Sequence, residues 1–141
     1  MWRGVIPAVT TKFTEDNRLD HAEMERCFAL MMGAGCYGLI ACGTLGEGNM
    51  LSHDERLEVL RLCKQAAGDK PALLTISEPG TREACELAKR ASGAGADGLM
   101  IEVHPDPINA YSDGPQSLKP AKFSKLVENL RPFAKLMGRT L

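Results

Sequence analysis

The residues best suited to chemistry lie in two places. The first is the segment Gly43-Thr-Leu-Gly-Glu47. A glycine-containing loop of this kind presents backbone amides, and a hydroxyl beside them completes a cradle for a carboxylate. Gly43, Thr44 and Leu45 are therefore the candidate binding residues, with Thr44 supplying the hydroxyl. The other reading of the same loop is a tight turn that needs glycine for its backbone angles. Glu47 then reads as a hydrogen-bonding support of that turn rather than a general base. The second place holds Glu102 and Asp113. Two converging carboxylates can take a hard or borderline divalent ion. Two ligands alone hold a metal weakly, so a weakly bound divalent ion is the most this pair implies. No other cofactor is expected. Cys42 reads as a small buried hydrophobe and His104 as a strand-end hydrogen-bonder. His21 and His53 fall in the first turns of helices.

These groups can act only if strands and helices bring them together. Four short apolar runs, Val5–Val9, Gly38–Cys42, Ala72–Ile76 and Gly98–Val103, read as strands buried on both faces. Amphipathic stretches at His21–Gly33, His53–Ala67, Arg82–Ser92 and Ala121–Met137 read as helices between and after them. Asp20-His-Ala-Glu23 and Ser52-His-Asp-Glu55 have capping-box spacing. Gly80 or Thr81 opens the third helix, and Lys119-Pro120 the fourth. The segment Gly33-Ala-Gly-Cys-Tyr-Gly-Leu-Ile40 returns as Gly93-Ala-Gly-Ala-Asp-Gly-Leu-Met100, 60 residues later. That spacing is two βα units, and the repeated glycines end a helix in a left-handed turn before the next strand.

The expected fold class is α/β, with four parallel βα units in one domain spanning residues 1–141. A full eight-unit barrel takes about 250 residues, so this is a partial (β/α) barrel, a half-barrel. Its two open edges and apolar concave face favour self-association into a homo-oligomer. An open, doubly wound sheet is the alternative. The net charge of −1 gives no footprint for nucleic acid or an anionic membrane. No apolar run reaches the roughly 20 residues of a membrane span. Five cysteines, an odd number without Cys-x-x-Cys, fit free thiols in a reducing cytoplasm.

Residues 4–101 resemble the dihydrodipicolinate synthase and N-acetylneuraminate lyase family of class I pyruvate aldolases. The resemblance rests on Pro7-Ala-Val-Thr-Thr-Lys-Phe13, Gly43-Thr-Leu-Gly-Glu47, Leu51-Ser-His-Asp-Glu55, Thr81-Arg-Glu-Ala84 and Gly93-Ala-Gly-Ala-Asp-Gly98. It implies that the Gly43–Glu47 loop grips the carboxylate of pyruvate or another keto acid, the small-molecule partner. Thr44 takes the first hydroxyl position. The next, often Thr or Ser, is Leu45, which keeps the amide and loses a hydroxyl. The family also needs a Schiff-base lysine on its sixth strand, and an active-site tyrosine, both beyond the stretch that matches. Lys12, Lys64, Lys70 and Lys89 do not match that lysine. The resemblance thus implies a residual binding loop without full catalysis.

Residues 95–141 are similar to the C-terminal end of DAHP synthase. Gly98-Leu-Met-Ile-Glu-Val-His-Pro-Asp-Pro107 and Ala110-Tyr-Ser-Asp-Gly-Pro-Gln-Ser-Leu118 carry this second resemblance. It implies that Glu102 and Asp113 match two of four metal ligands, the Cys and His of that set having no counterpart here. The chain then divides at about residue 100. Residues 1–100 are aldolase-like and 101–141 are a DAHP-synthase-like final loop and helix. An engineered or recombinant chimera, an inactive scaffold, is the alternative function this implies. A metal-dependent remnant is the third.

Overall fold

The computed structural model describes residues 3–138. Helix α1 spans His21–Gly33, strand β1 Leu39–Ala41, helix α2 His53–Ala67 and strand β2 Ala72–Ile76. Helix α3 spans Thr81–Gly93, strand β3 Gly98–Ile101 and helix α4 Pro120–Leu136. The sheet has the order β1-β2-β3, and both pairings are parallel. Each βα unit therefore returns its chain to the same end of the sheet, as a partial barrel requires.

The first expected strand is the main correction. Val5–Val9 runs beside β1 but forms only an isolated parallel bridge, Ala8 to Ile40. Ile40 donates to the Pro7 carbonyl and Val9 donates to the Ile40 carbonyl, both at 2.9 Å. Pro7 has no N–H, which confines such a segment to an edge. Nor is it buried on both faces, since Val5 is 66% exposed. Strand β3 is shorter than expected for a different reason. Beyond Ile101, Leu118 donates to the Glu102 carbonyl and accepts from the His104 amide, each at 2.9 Å. The returning chain thus caps the top of the outer edge of β3, which protects an otherwise open strand. All four β3 residues are only half-buried.

Alternation along the strands divides the sheet into two faces. Leu39, Ala41, Ala72, Leu74 and Ile76 lie on the helix side and are at most 1% exposed. They pack with Met24 and Phe28 of α1 and Val59, Leu60 and Cys63 of α2 in one core. Thr75 and its register partner Met100 lie on the other face.

The repeated glycine segments form two matching joints. Gly35 has φ 92° and Gly95 φ 94°. Cys36 donates back to the Met31 carbonyl and Ala96 to that of Ala91. Capping differs between the first two helices. Ser52 and Glu55 form the complete reciprocal box on α2. Asp20 accepts from the Glu23 amide at 3.0 Å, but the Glu23 carboxylate turns to Arg26 instead of back to the cap. Ser52→Ala is expected to cost about 1 kcal/mol in a urea-unfolding measurement. An unchanged midpoint would show that the box adds nothing to α2.

Candidate functional site at the strand C-terminal ends

The segment after β1 folds back on itself within a few residues. Thr44–Gly46 and Gly48–Met50 are two successive 3-10 turns. The amides of Gly46, Glu47 and Gly48 return to the carbonyls of Gly43 and Thr44. The amides of Thr44 and Leu45 stand at the open start of the first turn, where a helix lacks internal acceptors. Cys42 (φ 58°) and Glu47 (φ 52°) take left-handed backbone angles, uncommon for residues with a side chain. Glu47 thus supports the turn through its backbone, and its side chain is exposed. Among the hydrogen bonds of the described residues none uses its carboxylate, which corrects the expected side-chain role.

Three buried side chains, Thr11, Arg56 and Cys42, fix this loop. The Thr11 hydroxyl donates to the Gly46 carbonyl at 2.6 Å. Arg56, in the first turn of α2, donates through Nε to the Leu51 carbonyl at 3.1 Å and pairs through Nη1 with Glu78 at 2.5 Å. The Cys42 thiol faces the Arg56 carbonyl, and burial pushes its pKa up to about 12. That is the small buried residue expected.

The second loop carries Glu102 and Asp113 over the first. Asp113 has φ 55°. It precedes the 3-10 turn Gly114–Gln116, which brings Gln116 into the centre. Gln116 Nε2 donates to Glu102 Oε2 at 2.9 Å and to Asp113 Oδ1 at 3.0 Å. The same nitrogen lies 3.4 Å from Thr44 Oγ1. Its Oε1 accepts from Asn49 Nδ2 at 2.6 Å. The amide orientation follows from its partners, because ionised carboxylates only accept. One buried glutamine therefore joins Thr44, Glu102 and Asp113 in a single cluster.

The sequence reading missed Gln116 and Asn49. It also missed Thr75, whose hydroxyl is buried without a hydrogen-bond partner. That oxygen would lie 3.5 Å from a Cβ placed on Gly43. His104 has the expected part, accepting at Nδ1 from the Asp106 amide at 3.0 Å. Three of the four lysines weighed above are occupied elsewhere. Lys64 pairs with Asp97, Lys70 donates to the Cys36 carbonyl, and Lys89 stacks on Phe133. Among the described residues no group of three or more His, Cys, Asp or Glu side chains could hold a metal ion. The divalent-ion reading thus rests on two carboxylates that already share an amide. No described helix is long and apolar enough to cross a membrane.

A second concavity lies on the helix side of β3. It is a partly open cleft of about 310 Å³ between α3, β3 and α4, lined by Leu99, Ile101, Phe123, Val127, Leu130 and Phe133 among others. It lies beneath α4, on the opposite face of the strand from Thr75's partner Met100.

Parallel βα units with their polar cluster at the strand C-terminal ends are the layout of a (β/α)-barrel enzyme. The chain belongs to the dihydrodipicolinate synthetase family, whose model matches residues 1–105. A second model, the DAHP synthetase I family, matches residues 76–137. The 4-hydroxy-tetrahydrodipicolinate synthase of Natronomonas pharaonis is 42% identical over 98 residues, covering 70% of this chain and 33% of that protein. The Haloarcula marismortui enzyme of the same name is 36% identical over 115 residues, 82% of this chain and 36% of its own. The chain thus spans about a third of the length of these relatives. Among solved structures, the chloride-inhibited dihydrodipicolinate synthase of Acinetobacter baumannii complexed with pyruvate superposes with a TM-score of 0.77 at 26% identity. It covers 92% of this chain and 43% of that one. A prophage protein of the dihydrodipicolinic acid synthase family from E. coli K12, also in complex with pyruvate, gives 0.74 at 27% identity. Coverage there is 98% and 47%.

Proposed function

We propose that this chain is a pyruvate-aldolase-type half-barrel whose Gly43–Thr44–Leu45 turn binds a small carboxylate, such as that of a keto acid, and which forms no imine on its own. The observation that carries the reading is the turn itself. Among the described residues the Thr44 and Leu45 amides have no backbone acceptor, and with the Thr44 hydroxyl they belong to the turn that directly follows β1. The membership of the family and the pyruvate named with two solved relatives support it. Pairing with a second copy along the open sheet edges belongs to the same reading. Treatment with pyruvate and borohydride, read by intact mass, should leave the protein mass unchanged. A reduced pyruvate adduct would overturn the absence of imine chemistry.

The second reading is a recombinant of two parents, with residues 1–100 from one and 101–141 from the other. Its support is the match of residues 76–137 to a different family model.

A further inference from the structure

We propose that this mouth selects an α-amino acid zwitterion over the keto acid of the same carbon skeleton. The inference rests on the carboxylate-binding reading of the Gly43–Leu45 turn and adds what the facing wall requires. One wall donates, through the Thr44 and Leu45 amides and the Thr44 hydroxyl. The other wall accepts, through Glu102 and Asp113. Both carboxylate oxygens and Thr44 Oγ1 bond or approach the same Gln116 nitrogen. The hydroxyl therefore lies within about 6.5 Å of either carboxylate oxygen, inside the range where charges interact strongly.

Thr75 marks the ligand end independently. Thr75 is 1% exposed, its hydroxyl has no partner, and that oxygen would lie 3.5 Å from a Cβ placed on Gly43, at the base of the turn. A buried polar atom left unpaired in a native fold calls for a partner from outside the chain. A carboxylate seated on the turn is the partner its donor fits.

A keto acid brings only its negative charge to this place, facing two more. Even at the dielectric of water, a like charge about 6 Å away weakens binding roughly threefold, so the pair together costs roughly tenfold. An amino acid brings the same carboxylate to the turn and an ammonium to the pair. Gln116 Nε2 has two hydrogens for three nearby acceptors, and each carboxylate keeps unused lone pairs. An ammonium with three donors supplies what is missing.

L-alanine and pyruvate share a skeleton and differ at the group in question. Chemical-shift titrations of the full chain should show L-alanine binding at least roughly tenfold tighter than pyruvate. The Glu102→Gln, Asp113→Asn double variant should lose that preference. Should the double variant fail to fold, salt gives the same contrast in the unaltered protein, because screening must narrow the gap between the two ligands. Pyruvate binding as tightly as L-alanine, or a preference that salt and the double variant leave unchanged, would overturn the zwitterion assignment while the turn stands. Binding of neither ligand would remove the turn as a carboxylate site and the inference with it.

Discussion

Arg56→Ala is expected to destabilise the protein by about 3–5 kcal/mol, the range for removing one partner of a buried ion pair. Arg56 and Glu78 have side chains 7% and 10% exposed, and their contact is 2.5 Å. Arg56 also donates to the Leu51 carbonyl, and Glu78 accepts from His53 at 3.2 Å. The guanidinium thus ties the start of α2 to the chain just past β2, behind the loop that carries Thr44. Alanine leaves Glu78 buried with a half-exposed histidine as its remaining neighbour. Much of the cost is that stranded carboxylate. Glu78→Gln in the Arg56→Ala background should therefore recover part of the loss. Urea unfolding of the two single variants and the double variant checks this as a cycle. Strictly additive costs would show that the two residues do not act as a unit.

This pair, and much of the site, left little trace in the sequence. Arg56 and Glu78 are 22 residues apart, and neither the helical pattern around one nor the strand before the other predicts that they meet. What could be read locally was read well. The four helices and three of the four strands follow from periodicity, caps and glycine joints, which act within a few residues. The fourth strand failed because its pairing depends on position in the sheet. Val5–Val9 has a strand's composition, but it lies at an edge and Pro7 removes a donor. In the site, Thr44, Glu102 and Asp113 stood out by residue type, and the structure brings all three to one nitrogen. Gln116 did not stand out, because an amide has no distinctive chemistry until its neighbours are known. Its contact with Thr44 spans 72 residues. Thr75 was hidden for the opposite reason: within the apolar run Ala72–Ile76 it passes as a strand former, and only the structure shows its hydroxyl unpaired.

Gly48→Ala should cost about 3 kcal/mol, at the upper end for a forced steric insertion, and should also weaken ligand binding at the turn. A methyl group at Gly48 would overlap the Cys42 carbonyl oxygen. That oxygen belongs to the backbone of a residue already held at φ 58° and flanked by the core, so it has little room to retreat. The strain must instead open the loop between Cys42 and Gly48. Asn49 follows directly, and its bond to Gln116 Oε1 links the two loops. Opening the first loop therefore releases Gln116 from one side and moves Thr44 relative to Glu102 and Asp113. Gly33→Ala is the matched control. A Cβ there meets nothing within 4 Å, and alanine favours the last helical position over glycine by a few tenths to about 1 kcal/mol. Thermal melts should thus move in opposite directions for the two variants. A Gly48→Ala protein as stable as the parent would show that Cys42 yields, and that the mouth is held less tightly than its hydrogen bonds imply.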